Sequence, residues 1–128
     1  QTRALMGELL LRVWEEAAVK PDAVAAHNFK TLALLAGRAP VLLHGHDHRA
    51  SLRQIRGSLI EDAGTSGAAG FRGLAKEETV PYTLDLQYWR KDRKGHFSLA
   101  AVDAISVDGL QGTLQVARTM VGGEEGTR

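Results

Sequence analysis

Apolar side chains recur at helical spacing near the start of the chain. Within residues 4–18 they are Leu5, Leu9, Leu10, Val13 and Trp14. This spacing predicts an amphipathic helix that turns the five apolar side chains inward and leaves its charged side chains in solvent. The helix is expected to end at Lys20-Pro21, because proline cannot continue it.

Two short apolar runs follow, over residues 22–27 and 40–44. Each run is short and bounded by turn residues, which is typical of a buried strand. Between the runs, residues 29–36 have helical spacing, with Asn28 at the N-cap position and Gly37 just beyond the last turn. The order strand, helix, strand predicts a βαβ unit with two neighbouring parallel strands.

The rest of the chain has the pattern of antiparallel sheet. Strand-like segments cover residues 51–56, 58–61, 82–89, 96–106 and 113–120. The first two flank Gly57 and predict a hairpin, and a glycine-rich loop over residues 64–73 follows them. The predicted fold class is therefore α/β: a mixed sheet with helices on one face, with parallel pairing near the histidines and antiparallel strands after residue 50.

Length, charge and composition exclude several classes of function. The chain has 128 residues, enough for one domain or part of one. Sixteen Lys and Arg against fifteen Asp and Glu provide no strong field for a polyanion, so the basic turn at 90–94 is interpreted as a solvated hairpin tip rather than a nucleic-acid contact. The absence of cysteine excludes disulfides and thiolate metal sites, so chemistry must come from histidines, carboxylates and hydroxyls.

Four of the five histidines follow the two predicted parallel strands. His27 closes the first run, and His44, His46 and His48 close the second. Neutral imidazole is the commonest metal ligand in proteins, and the carboxyl ends of neighbouring parallel strands lie at one edge of a sheet. The cluster therefore predicts a metal site, with Gly45 allowing a close backbone approach and Asp47 as a partner of an imidazole N–H. His96, in a polar turn, is interpreted as structural.

The segment Gly45-His46-Asp47-His48 resembles the Gly-His-x-His motif of the calcineurin-like metallophosphoesterases. His27 stands where that family has its preceding metal-binding histidine, and the resemblance covers roughly residues 20–120. It implies a two-sheet sandwich and a hydrolase that attacks a phosphomonoester or phosphodiester with a water bridging two divalent metal ions (Mn, Fe, Zn, Ni or Mg). It further implies that His27 and His46 bind one ion and His48 the other.

The family's earlier motifs, Asp-x-His, Gly-Asp and Gly-Asn-His, do not occur in the sequence. We therefore expect residues 1–121 to be the C-terminal part of a metallophosphoesterase domain, followed by a flexible tail over 122–128. Alone, this part is expected to be inactive. The alternative is a non-catalytic metal-binding or protein-interaction module derived from the same family.

Two further side chains are weaker candidates. His44 is either a base near the site or an ordinary strand residue, and Arg72 either reaches a substrate phosphate or is solvated at a loop tip. The expected partners are a phosphoester substrate and the missing N-terminal half of the domain or a second chain, because half of a sandwich leaves an apolar sheet face that needs cover. A homo-oligomer is another way to supply that cover.

Overall fold

The structure is a computed structural model that describes residues 2–47, 49–64, 82–108 and 111–121. The chain forms two compact units: the first comprises residues 1–47 and 51–62, and the second comprises the rest. The first unit is α/β and the second is a β-sheet, so the predicted mixed α/β class with two sheets and few helices is confirmed. None of the described helices is long and apolar enough to cross a membrane.

Six elements and one short 3₁₀ turn build the first unit. In chain order they are α1 (Thr2–Glu16), β1 (Ala23–Ala25), α2 (Phe29–Leu32) with the 3₁₀ turn Ala33–Leu35, β2 (Val41–His44), β3 (Ser51–Ile55) and β4 (Ser58–Asp62). The strand order is β1-β2-β4-β3. β2 is parallel to both β1 and β4, and β3 and β4 form the predicted antiparallel hairpin.

The inward face of α1 differs from the prediction. Trp14 is buried, but Leu5, Leu9 and Val13 are each about half exposed or more. The reason is Gly7: a Cβ there would lie 3.2 Å from the backbone oxygen of Thr31, so the missing side chain allows α1 to pack closely on α2. The contact stripe is therefore centred on residues 7, 10, 11 and 14, at helical spacing.

The segment after β1 matches its predicted capping. The Asn28 side chain accepts a hydrogen bond of 2.9 Å from the Lys30 N–H, as an N-cap residue does. The predicted two-turn helix is instead one α-helical turn, α2, followed by the 3₁₀ turn. β1 was predicted as a buried strand but is only half-buried, because it lies at the edge of the sheet.

One hydrophobic core holds the first unit together. It contains Trp14, Leu32, Leu35, Ala36, Ala39, Leu42 and Ile60. These residues come from α1, the segment after β1, and the two central strands. The hairpin that supplies β4 turns at Arg56 and Gly57, which both have positive φ angles (51° and 89°), as a two-residue hairpin turn requires. The core thus fixes the central strands whose ends carry the candidate site.

The second unit is a three-stranded antiparallel sheet in the order β5-β6-β7. The strands are β5 (Tyr82–Lys91), β6 (Phe97–Asp108) and β7 (Thr113–Met120). All three predicted segments are strands. β5 and β6 extend beyond their predicted C-terminal ends, and β7 has its predicted bounds. One face carries exposed apolar side chains, namely Tyr82, Leu84, Leu86, Leu114, Val116 and Met120. That this apolar face needs cover from a missing half of the domain or from a second chain stays a prediction.

Candidate metal centre

Two of the predicted ligands lie together at the carboxyl edge of the first sheet. His27 follows β1 and His46 follows β2, and these strands are parallel neighbours. The Gly45 N–H extends the pairing by donating to the His27 carbonyl at 3.1 Å. As a result, Nε2 of His27 and Nδ1 of His46 are 3.2 Å apart, with the two rings edge to face.

The spacing of these nitrogens suits a shared ion. Two imidazole nitrogens that each bind one zinc at about 2.0–2.1 Å in tetrahedral geometry are separated by about 3.3 Å. The same separation also suits a direct hydrogen bond between a protonated and an unprotonated ring nitrogen. Both side chains belong to exposed residues, so an ion from solvent has access to them.

The backbone turn that aims His46 differs from the expectation. Gly45 was expected to allow a close backbone approach, but the residue with a positive φ, of 78°, is His46. A Cβ on Gly45 would only make an ordinary contact, 4.0 Å from Nδ1 of His27. Positive φ is uncommon in residues other than glycine, so the surrounding structure holds His46 in this conformation.

His44 occupies a different environment from the other two. Its side chain is 3% exposed and packs against the Phe29 ring, with a centroid distance of 5.4 Å. Nδ1 lies 3.1 Å from the Gly45 carbonyl and 3.7 Å from Oδ2 of Asp62. Nε2 is buried and has no hydrogen-bond partner among the described residues.

A second group of possible ligands surrounds His44. A ring nitrogen of His44 and one carboxylate oxygen each from Asp47 and Asp62 lie within 4.8 Å of one another. Asp62 was missed in the sequence, because the predicted strand stopped one residue before it. Asp62 is the last residue of β4, just as His44 is the last residue of β2, and the parallel register pairs the two residues. The structure therefore shows a His-Asp-Asp group that could hold a metal ion.

His48, Arg72 and the tail at 122–128 lie outside the described residues. His96 lies in the turn between β5 and β6, where its backbone N–H donates to the Asp92 carboxylate at 2.9 Å, in keeping with its structural interpretation.

The comparisons with known proteins concern the fold. No family model and no curated protein matches the sequence. Among solved structures, a double mutant of Vps29 from Entamoeba histolytica matches with a TM-score of 0.50 at 13% identity, over 74% of this chain and 48% of that one. Over the matched part, the chain therefore shares the fold of this Vps29 structure. It spans about half the length of the Vps29 chain that it matches.

Two other Vps29 structures give lower scores. Zinc-bound Vps29 from Entamoeba histolytica matches with a TM-score of 0.48 at 15% identity, over 73% of this chain and 47% of that one. Vps29 from Cryptosporidium parvum matches with a TM-score of 0.46 at 20% identity, over 73% and 44%. At these identities the similarity concerns the fold alone, so the chemistry of this chain has to be argued from its own residues.

Proposed function

We propose that residues 1–121 are the C-terminal part of a metallophosphoesterase domain and that this part binds a divalent metal ion through His27 and His46, with His48 as a ligand of a second ion. The observation that carries the proposal is the 3.2 Å separation of the two ring nitrogens at the edge of the parallel sheet. Mn, Fe, Zn, Ni and Mg are the candidate ions, and the imidazole ligands favour the transition metals among them.

The chain alone is proposed to be a metal-binding module without turnover. Divalent ions supply Lewis acidity toward a phosphoryl oxygen when two of them clamp a phosphoester. His27 and His46 contribute two imidazoles to such a centre and no bridging carboxylate. The sequence also lacks the Asp-x-His, Gly-Asp and Gly-Asn-His motifs that supply the remaining ligands in the family it resembles. Hydrolysis of a phosphomonoester or phosphodiester would therefore need ligands from outside this sequence.

The binding proposal is tested by calorimetric titration with Zn²⁺. We expect His27→Ala and His46→Ala each to weaken binding at least about 10-fold, because each removes a ligand. His96→Ala is the matched control, since it removes a histidine from a turn of the second unit. Equal affinity of the wild-type chain, His27→Ala and His46→Ala would contradict the proposal.

Turnover is tested separately, with p-nitrophenyl phosphate and bis(p-nitrophenyl) phosphate in the presence of Mn²⁺ or Zn²⁺. The wild-type chain and His46→Ala are expected to give the same background rate. If the wild-type chain hydrolyses either substrate above background and His46→Ala does not, this part is catalytic by itself. Phosphoester hydrolysis would then replace the non-catalytic interpretation.

A protein-interaction role is a second candidate, and the apolar face of the β5-β6-β7 sheet favours it. Leu84, Leu114 and Val116 are each at least half exposed there. Exposed apolar side chains grouped on one sheet face are typical of an interaction site. Because the chain spans about half of the matched Vps29 chain, the proposed occupant is the remaining half of the same fold.

The face is tested by binding of the dye ANS and by sedimentation. The wild-type chain is expected to bind the dye and to self-associate, because no other partner is present. Leu84→Lys and Val116→Lys should reduce both signals, whereas Gln115→Lys, on the opposite face of the same sheet, should not. A monomeric wild-type chain that binds no dye would contradict the interaction role.

A further inference from the structure

The carboxyl ends of β2 and β4 bring three ionisable side chains together apart from the His27–His46 pair. In the parallel register His44 is the partner of Asp62, so both residues lie at the same position along the sheet edge. Asp47 follows three residues after His44, beyond the end of β2. We propose that His44, Asp47 and Asp62 form a divalent-cation site of their own, in addition to the ions proposed at His27, His46 and His48.

The His44 ring is buried, and its Nδ1 lies 3.7 Å from Oδ2 of Asp62. A metal-bound imidazole usually donates one N–H to a carbonyl or carboxylate, which fixes its tautomer and leaves the other nitrogen for the metal. A carbonyl only accepts hydrogen bonds, so the 3.1 Å contact with the Gly45 oxygen places a proton on Nδ1. Nε2 then carries a lone pair, and it is buried without a partner among the described residues. Such burial has a cost that a cation would remove.

Asp62 is buried and Asp47 is exposed, and each environment favours a cation site in its own way. The Asp62 side chain is 1% exposed, and a buried carboxylate is stabilised by positive charge beside it. Asp47 is exposed, so the group remains open to solvent on one side. A divalent cation held between them would neutralise the charge of both carboxylates.

The distances require only a small adjustment. Ligand atoms that bind one ion at about 2.0–2.2 Å are at most about 4.4 Å apart. One ring nitrogen of His44, Nδ1 or Nε2, and one carboxylate oxygen from each aspartate lie within 4.8 Å of one another. Rotation of the exposed Asp47 side chain can close that difference. One imidazole with two carboxylates suits a harder first-row ion such as Mn²⁺, whereas the pair of imidazoles at His27 and His46 suits Zn²⁺.

This site uses none of the residues of the His27–His46 pair, so the two proposals fail independently. Binding of Mn²⁺ is measured by titration calorimetry and by loss of the free-ion EPR signal. We expect Asp47→Asn to weaken Mn²⁺ binding at least about 10-fold and Asp62→Asn to abolish it. Glu8→Gln, which removes an exposed charge from α1, is the control and should leave the affinity unchanged.

The double variant His27→Ala/His46→Ala distinguishes the two sites. It should lose Zn²⁺ binding at the imidazole pair and keep the Mn²⁺ affinity of the wild-type chain. Asp62 is buried, so its variant is first checked by circular dichroism; Asp47 is exposed, and its variant gives a result even where Asp62→Asn fails to fold. Wild-type Mn²⁺ affinity in Asp47→Asn, or loss of all Mn²⁺ binding in the double variant, would overturn the proposal.

Discussion

The two sheets of this protein place their ionisable side chains in different ways. In the first unit the central strands β2 and β4 contribute Leu42 and Ile60 to the core and have His44 and Asp62 at their ends. In the second unit Asp103 sits in the middle of β6, flanked on the two neighbouring strands by Tyr88 and Arg118. Parallel neighbours end at the same edge of a sheet, so polar residues at their carboxyl ends lie together there. In the antiparallel sheet, the polar residues contact one another in the middle of the strands, on one face.

The mid-sheet group of the second unit satisfies its own polar atoms. Arg118 makes two hydrogen bonds with the Asp103 carboxylate, at 2.6 and 2.7 Å, and the Tyr88 hydroxyl donates a third at 2.8 Å. The Arg118 guanidinium also lies 4.9 Å from the Tyr88 ring centroid. Arg118 and, to a lesser degree, Tyr88 lower the pKa of Asp103 to about 2, and Asp103 in turn raises the pKa of Arg118. A group with its partners already present is structural, whereas Nε2 of His44 in the first sheet has no hydrogen-bond partner among the described residues.

The largest expected change in the free energy of unfolding is at the buried core of the first unit, compared with the exposed face of the second sheet. Leu42→Ala removes a fully buried side chain from the core of the first unit and should lower the free energy of unfolding by about 3 kcal/mol. Leu114→Ala, at a side chain that is 64% exposed in β7, should cost less than about 1 kcal/mol. Urea denaturation measures both, and equal losses would mean that the face of the second sheet is covered in solution.

A smaller effect is expected at Ser58, the buried first residue of β4. Its hydroxyl donates to the Ala39 carbonyl and accepts from the Gly37 N–H, so it joins the start of β4 to the end of the preceding helical segment. Ser58→Ala leaves two backbone groups without their partner and should cost about 2 kcal/mol. Ser51→Ala, at an exposed position of β3, is the control for the same chemical change. A loss below that of the control would indicate that water replaces the hydroxyl.

The cap of α2 should contribute about 1 kcal/mol. Asn28→Ala removes the acceptor for the Lys30 N–H at the start of the segment that follows His27. Because Asn28 directly follows His27, the same variant should also weaken Zn²⁺ binding if the cap positions that ring. Thermal unfolding and Zn²⁺ titration of one preparation separate the two effects, and unchanged stability would show that the side chain is not a cap in solution.

The smallest effect is expected from the mid-sheet ion pair, because the Arg118 side chain is 56% exposed and solvent screens it. The pKa of Asp103 is about 2 in the folded chain and near its ordinary value of about 3.9 in the unfolded chain. Its contribution is therefore complete above about pH 5 and is lost as the pH falls toward 2. Urea midpoints measured from pH 6 to pH 2 should fall more for the wild-type chain than for Asp103→Asn. Parallel curves would contradict the assigned pairing.

Part of the candidate site could be predicted from local patterns. His27, His44 and His46 follow short apolar runs, and the structure places them at strand ends because parallel neighbours finish at the same edge. Asp62 was missed because its role depends on β4 lying parallel to β2, and the hairpin pattern specifies only that β3 and β4 pair with each other. The prediction of which α1 residues point inward was wrong for a related reason. Periodicity predicts a row of apolar side chains along the helix, but the close approach at Gly7 determines which of them pack against α2.

The sequence by itself determined the strand and helix segments, the hairpin at Gly57, the N-cap at Asn28 and the clustering of histidines, because each depends on neighbouring residues and on side-chain periodicity. The tertiary structure alone decided the strand order, the pairing of His44 with Asp62 and the exposure of the second sheet's apolar face. Those features depend on contacts between segments that are distant in sequence. The free energy that favours one set of contacts over another comes from packing of the whole unit rather than from any local stretch of chain.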